Sequence, residues 1–134
     1  MKVLLDTNVL IAAFITHGTS SDLFEHCIRQ HEIVISKFIL DELENHLRKK
    51  FKFSEADVRE TLDILNTAAK MIEPIPLKTP VCRDPDDDMI LATALAGNVE
   101  CIVSGDKDLT DLKMFENIPI LKPSEFSDFE ANQK

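Results

Sequence analysis

The sequence contains no tryptophan or tyrosine, and it has only three cysteines in 134 residues. A platform that stacks single-stranded bases would have to use the eight phenylalanines, which argues against such a platform. Cys27, Cys82 and Cys101 form no Cys-x-x-Cys pair, which argues against a zinc ribbon and a thioredoxin-type site. Free, buried thiols in a reducing compartment are the simplest interpretation.

Long apolar runs and an excess of basic residues are also lacking. No segment approaches the roughly 20 apolar residues of a membrane span, and the chain turns acidic too early for a signal peptide. We therefore expect a cytoplasmic protein with no membrane partner. The net charge of −9 argues against a protein that coats DNA. A nuclease remains compatible with this charge, because carboxylates in a metal site are neutralised when the metal binds.

Short apolar segments alternate with helical patterns along the chain. Strands are predicted at residues 3–5, 33–35, 71–75, 101–103 and 118–121. Helices are predicted at residues 20–30, 36–50, 54–70 and 85–96. Pro119 makes its strand an expected edge strand, and Gly97 is expected to end its helix in the left-handed conformation. The alternation predicts an α/β protein whose parallel sheet is covered on both faces.

Four acidic residues stand out from the rest. Asp6 and Asp106 follow predicted strands, and ligands of parallel sheets bind at the carboxyl ends of the strands. Glu42 interrupts the apolar stripe of its helix, and such breaks are expected at functional sites. Asp88 lies past the capping positions and shares a face with apolar residues, where an unpaired carboxylate is costly. These four acids are therefore candidate ligands of one metal site.

Each acid also has a structural interpretation, since an acid at a helix start is usually a cap. Asp6 could cap the segment after it, and Glu42 could pair with an arginine. Asp84 fits an N-cap, while Asp86 and Asp87 in the first turn complement the helix dipole. Asp87 nevertheless stays a candidate second ligand from this cluster.

Other polar residues near these acids are weaker candidates. Asp108 is a further candidate ligand, or the cap of a short helix. Asn8 and Ser104 could orient ligands or a water molecule by hydrogen bonds, or could serve only in turns. Lys37 and Arg83 could contact RNA phosphates, although a solvated helix face is the preferred interpretation of each residue taken alone.

The candidate site is rich in oxygen and poor in nitrogen. The histidines lack the spacing of paired ligands on a helix, and we interpret them as surface or boundary residues: His17, His26, His31 and His46. An oxygen-rich set favours Mg²⁺ or Mn²⁺ over zinc. One or two such ions, held by the four acids, would support phosphodiester hydrolysis.

Taken in order, these motifs resemble those of the PIN-domain family. The matching segments are residues 3–10, Glu42 on its helix, 83–88 with 92–95, and 104–109. The pattern is most similar to the prokaryotic single-domain members known as VapC-like toxin components. The resemblance implies a three-layer α/β/α sandwich with a central parallel sheet of four to five strands. We expect this domain to span residues 1–126, with a frayed tail at 127–134.

The resemblance also implies Mg²⁺- or Mn²⁺-dependent endoribonuclease activity, with Asp6, Glu42, Asp88 and Asp106 as the acidic set. It implies an RNA substrate, a homodimer, and a cognate antitoxin that reaches the active site. The alternative is a catalytically silent PIN-like module that binds RNA or another protein. Receiver domains and HAD-like phosphatases are disfavoured, because Asn8 stands where their first strand needs a further acid.

Overall fold

The elements of the fold follow one another in a regular alternation of strands and helices. The computed structural model describes residues 1–133. In chain order, its elements are β1 (Lys2–Leu5), α1 (Thr7–Ile15), α2 (Thr19–Gln30), β2 (Glu32–Ile35), α3 (Lys37–Lys49), α4 (Glu55–Ala68), β3 (Ala69–Met71), α5 (Pro85–Ala96), β4 (Cys101–Val103), α6 (Lys107–Thr110), β5 (Met114–Phe115), β6 (Ile118–Leu121) and α7 (Phe126–Ala131). No helix within these residues is both long enough and apolar enough to span a membrane.

All six strands of this part of the chain join one sheet in the order β3-β2-β1-β4-β6-β5. Neighbouring strands are parallel except β5 and β6, which are antiparallel. Helices flank this mostly parallel sheet, so the predicted three-layer α/β/α class is confirmed. The sheet has more strands than the four to five expected, because the two-residue β5 extends one edge.

The central strands carry the core because both of their faces are covered. Every residue from Val3 to Leu5 and from Cys101 to Val103 is buried. On α3, Ile39, Leu43 and Leu47 follow the helical repeat and are fully buried. Burial of each such side chain contributes roughly 1.5–3 kcal/mol.

Helix α1 was not predicted from the sequence. It begins at Thr7, immediately after β1, and buries Val9, Leu10 and Ile11 while packing on α2 and α3. Its residues are apolar almost all round, so the segment lacks the one-sided stripe that reveals a surface helix. The sequence pattern therefore concealed the helix that starts beside Asp6.

Two strand predictions need correction. The strand predicted at 71–75 is instead β3, which ends at Met71, and Ile75 is 79% exposed. Pro74 and Pro76 lack the N–H groups that a ladder needs, which explains the early end. The strand of Pro119 is not at the edge, because β5 pairs with its outer side.

The end of α5 also differs from the prediction. Gly97 has a right-handed φ of −86°, and Asn98 takes the left-handed conformation with a φ of 52°. Asparagine tolerates that conformation better than most residues. Gly97 is required for a different reason: a Cβ there would lie 2.6 Å from Cγ1 of Val34 on β2. The glycine therefore permits the close approach of helix and sheet.

The predicted frayed tail begins instead with an ordered segment. Residues 127–131 belong to α7, and Phe126 at its start is buried. Glu130 accepts hydrogen bonds from two histidines, His26 and His31, which fasten the helix to α2 and the start of β2. Lys134, the last residue of the predicted tail, lies outside the described residues.

We predict that Gly97→Ala lowers the free energy of unfolding by about 1–3 kcal/mol, the usual cost of overpacking. The added methyl group would have to displace Val34 or the end of α5. Chemical denaturation measures the change. Gly105→Ala is the matched control, because no atom lies within 4 Å of a Cβ at that position. Equal stability of the two variants would contradict the close-approach role.

Candidate functional site

The candidate site begins where the chain turns from one half of the sheet to the other. From β1 the chain builds β2 and β3 on one side, whereas β4, β6 and β5 lie on the other. A crevice therefore opens between the carboxyl ends of β1 and β4, the usual ligand position in such sheets. The backbone N–H of Asp6 donates to the carbonyl of Val103 over 2.9 Å. This bond sets Asp6 beside Ser104.

Asp6 is a buried carboxylate with two hydrogen-bond donors. It is only 5% exposed, and it caps α1 by accepting the Thr7 N–H at 2.6 Å. The hydroxyl of Ser104 donates to its other oxygen at 2.7 Å. Burial raises the pKa of Asp6 to about 6, against the two hydrogen bonds, and the charges of Glu42 and Asp106 add to the rise. The carboxylate thus lacks a compensating positive charge.

Glu42 and Asp106 are oriented by the same local network. The Thr7 hydroxyl donates to a carboxylate oxygen of Glu42, which joins α1 to α3. The backbone N–H of Asp106 donates to the Ser104 hydroxyl at 2.9 Å. The Asp106 carboxylate also caps α6. The hydroxyls of Thr7 and Ser104 therefore orient the carboxylates of Glu42 and Asp6, and Ser104 also fixes the backbone of Asp106.

Asp87 completes the group from the first turn of α5. It is 8% exposed, and burial is the largest cause of its raised pKa. A hydrogen bond with Asp106 and the negative charges of Asp106, Asp6 and Asp84 raise the pKa further. Two carboxyl groups in hydrogen-bond contact must share a proton or a cation, since both cannot remain ionised without one.

These side chains enclose a cavity of about 250 Å³. Its lining consists of Asp6, Thr7, Asn8, Glu42, His46, Asp84, Asp86, Asp87, Ile90 and Asp106. Three helices start at this cavity, because Asp6, Asp84 and Asp106 are the N-caps of α1, α5 and α6. The partial positive charge at helix amino ends offsets only part of the carboxylate charge.

Asp88, preferred to Asp87 by sequence reasoning, lies outside the cavity lining. Its carboxylate accepts the backbone N–H groups of Val81 and Cys82, at 3.1 and 2.8 Å. Asp87 precedes the buried residues Ile90 and Ala94 at helical spacing, and that stripe faces the interior. Neighbouring residues of a helix point about 100° apart. Asp87 therefore faces the cavity, whereas Asp88 does not.

The other polar candidates have diverse surroundings. Arg83 donates to Asp108 at 2.7 Å, and a carboxylate oxygen of Asp108 lies within 4.8 Å of those of Asp87 and Asp106. Lys37 pairs with an exposed acid on its own helix and is not among the cavity-lining residues. Asn8 lines the cavity. Ser104 is not a lining residue, but its hydroxyl donates a hydrogen bond to Asp6, which is one.

Sequence reasoning overlooked five residues of the lining, namely Thr7, His46, Asp84, Asp86 and Ile90. Asp84 and Asp86 were explained as a cap and a first-turn acid, yet both also face the cavity. His46 was interpreted as a boundary residue. Its Nδ1 is buried and has no hydrogen-bond partner in the part of the chain that the structure describes. Its position one helical turn after Glu42 is the signal that could have identified it.

The chemistry of this donor set fits a hard divalent cation. Six of the ten lining residues are acids, and their carboxylate oxygens are the ligands that Mg²⁺ and Mn²⁺ prefer. The raised pKa values of Asp6 and Asp87 indicate that the ionised cluster is under-compensated. A divalent ion would supply the missing positive charge.

Comparisons with known proteins agree with this architecture. A profile of the family described as PIN domain matches residues 2–108. VapBC2 from Rickettsia felis, solved with a DNA fragment from its promoter, shares 20% identity over 91% of this chain and 98% of its own, with a TM-score of 0.64. VapC20 from Mycobacterium tuberculosis, a toxin that cleaves the sarcin–ricin loop, shares 14% identity over 85% and 97%, with a TM-score of 0.64. VapBC-1 from nontypeable Haemophilus influenzae shares 16% identity over 92% and 99%, with a TM-score of 0.63. No curated protein matches the sequence.

We predict that the metal-free protein loses stability as pH rises from about 4 through 6. The folded-state pKa of Asp6 is about 6 against an ordinary 3.8, so the folded state holds its proton longer. Protonation of Asp6 therefore stabilises the fold fully below the ordinary pKa, and this stabilisation is lost above the folded-state pKa. The loss in free energy of unfolding is at most about 3 kcal/mol. Urea unfolding in EDTA across this pH range measures the slope.

The variant Asp6→Asn should reduce that slope, because it removes Asp6 and leaves Asp87, whose pKa is also raised. Asp41→Asn is the matched control, since Asp41 is an exposed acid on α3. Added Mg²⁺ should restore stability at neutral pH in the wild type. An identical slope in wild type and Asp6→Asn would contradict the assignment.

Proposed function

The chain belongs to the PIN-domain family, and we propose that it is a divalent-metal-dependent endoribonuclease that hydrolyses RNA phosphodiester bonds. We further propose that it is the toxin component of a toxin–antitoxin pair. Its ligand set would be Asp6, Glu42, Asp87 and Asp106, with one or two Mg²⁺ or Mn²⁺ ions. Asp87 replaces Asp88 in this set, for the geometric reason given above.

One observation carries the proposal: four carboxylates from four separate elements line a single cavity at the crevice between β1 and β4. Such a concentration of negative charge opposes folding. Proteins keep groups of this kind mainly at sites of binding or catalysis. The cavity is open enough for substrate phosphate, at about 250 Å³. An acidic cavity without an ion repels an RNA backbone, so cation binding and substrate binding are coupled in this proposal.

When bound, the cation supplies activation of the attacking water and stabilisation of charge on the leaving oxygen. The protein's own residues fix where this happens. Ser104 holds Asp6 and Asp106 together, and Thr7 holds Glu42 beside α1. These hydroxyls restrict rotation of the Asp6 and Glu42 carboxylates and leave further lone pairs of both free for a ligand.

Two groups at the cavity can act on the substrate rather than on the ion. The Asn8 side chain lines the opening, where its amide can donate to a phosphate oxygen. Arg83 is exposed and paired with Asp108 at the cavity side of α6. It could exchange this partner for an RNA phosphate. Lys37 is a weaker candidate, since it pairs with Asp41 outside the lining.

The structural relatives support the biological part of the proposal. VapC20 is a toxin that cleaves the sarcin–ricin loop, and two of the other relatives were solved as VapBC proteins. By analogy of fold, we propose an RNA substrate and a cognate antitoxin whose segment covers the acidic cavity. Cytoplasmic location and homodimer formation stay predictions.

Cleavage of a mixed panel of structured and single-stranded RNAs tests the proposal. We expect wild type to cut with Mg²⁺ or Mn²⁺ and to be inactive in EDTA. Asp6→Asn should lower the rate by more than about 100-fold, because losing even a hydrogen-bond partner of a metal ligand costs about 10–100-fold. RNA binding without cutting, in a folded wild type that binds metal, would contradict the proposal and favour the silent-module alternative.

A pair of neighbouring variants tests the ligand register. Asp87→Asn should abolish cutting as Asp6→Asn does, whereas Asp88→Asn should retain activity of the wild-type order. In the Asp88→Asn variant, the amide oxygen of the new side chain can still accept the Val81 and Cys82 N–H groups. Circular dichroism checks that both variants fold. Loss of activity in Asp88→Asn alone would restore the register expected from the sequence.

A further inference from the structure

Three side chains far from the acidic cavity converge on one point. His26 lies on α2, His31 immediately precedes β2, and Glu130 lies on α7. One ligand atom from each lies within 4.8 Å of the other two. Both imidazole Nε2 atoms approach the same oxygen of Glu130, that of His26 at 2.7 Å. The three residues come from opposite ends of the chain, so only the fold assembles them.

We propose that His26, His31 and Glu130 bind Zn²⁺ or a chemically similar transition-metal ion. Two imidazole nitrogens and one carboxylate oxygen form a ligand set that zinc takes with a further position open to water. Imidazole ligands suit zinc, cobalt and nickel, whereas Mg²⁺ prefers oxygen alone. The protein would therefore carry two cation sites of different chemistry.

The position of the cluster separates it from the acidic cavity. His31 precedes β2, and the N-terminal amine of Met1, which precedes β1, lies 3.2 Å from its Nδ1. The cluster thus lies at the amino edge of these parallel strands, whereas Asp6 lies at the carboxyl edge. The proposal is therefore independent of the proposed nuclease function.

The local packing holds the ligands in position for an ion. Phe126 makes edge contacts with both imidazole rings, at centroid distances of 6.4 and 5.8 Å. The contacts of both imidazoles with one Glu130 oxygen aim that carboxylate at the point where the two Nε2 atoms meet. Zinc bonds of about 2.0–2.1 Å place tetrahedral ligand atoms roughly 3.3 Å apart. An outward movement of the Glu130 carboxylate would lengthen its two separations from the Nε2 atoms towards that spacing.

The remaining requirements of a metal site are also met. A cavity of about 320 Å³, lined partly by Gln30 and Gln133, gives solvent access to His31 and Glu130. The ion would replace the Nε2 protons of the two histidines.

Metal binding here would fasten the C-terminal helix to the body of the protein. α7 is short, and it is attached through buried Phe126, partly buried Phe129 and the contacts of Glu130. A site that exists only in the folded state converts its binding free energy into folding free energy. We therefore expect Zn²⁺ to raise the melting temperature.

The proposal is tested on the untagged full chain after chelator treatment. Calorimetry measures its titration with Zn²⁺, and the visible spectrum measures its titration with Co²⁺. Excess Mg²⁺ in the buffer competes with Zn²⁺ for the carboxylate oxygens of the acidic cavity. We expect one tight Zn²⁺ per chain, a four-coordinate Co²⁺ spectrum and a raised melting temperature. His26→Ala and Glu130→Gln should each weaken binding by more than about 10-fold and abolish the thermal shift.

His17→Ala is the matched control, because His17 is an exposed histidine outside the cluster. It should bind Zn²⁺ as wild type does. The double variant Asp6→Asn/Asp87→Asn should also retain the site. Unchanged Zn²⁺ affinity in both His26→Ala and Glu130→Gln, or loss of binding only in the cavity double variant, would overturn the proposal. Absence of Zn²⁺ binding by folded wild type would do the same.

Discussion

The parallel pairing of β1 with β4 is the constraint on which the rest of the structure depends. Leu5 pairs with Val103, and the next residue on each strand enters the crevice between them. Asp6 and Ser104 therefore meet, although 98 positions separate them. Ser104 then orients Asp106, and Thr7 links Asp6 and Glu42 through α1 and α3. The apolar strands on either side supply the burial that fixes this pairing.

Electrostatic repulsion works against the same arrangement. Burial and mutual charge raise the pKa values of Asp6 and Asp87, so the ionised cavity destabilises the metal-free fold. The surrounding core offsets this cost, since it includes fully buried side chains on β1, β4, α3 and α5. Helix amino ends at the cavity reduce the repulsion without removing it. A site of this kind is stable only because packing elsewhere compensates for it, and its charge makes folding, protonation and cation binding interdependent.

The two edges of the sheet differ in their chemistry. The carboxyl edge presents buried carboxylates, whereas the amino edge presents two imidazoles and one carboxylate beside the N-terminus. Parallel strands make this separation possible, because all residues that precede strands lie at one edge and all that follow them lie at the other. The amino-edge cluster therefore supplies two nitrogens and one oxygen, whereas carboxylate oxygens dominate the cavity, so in our proposals each cluster selects a different class of cation.

The sequence by itself determined the fold class, since short apolar strands alternating with helices have few other ways to bury their surfaces. It also indicated Asp6, Glu42 and Asp106, because strand ends and a broken apolar stripe can be recognised locally. Only the tertiary structure decided that Asp87 rather than Asp88 meets them, that His46 lines the cavity, and that His26, His31 and Glu130 converge. Local periodicity describes the faces of a helix. The rotation that turns one face towards the cavity depends on packing of the whole chain. The same holds for contacts between residues a hundred positions apart.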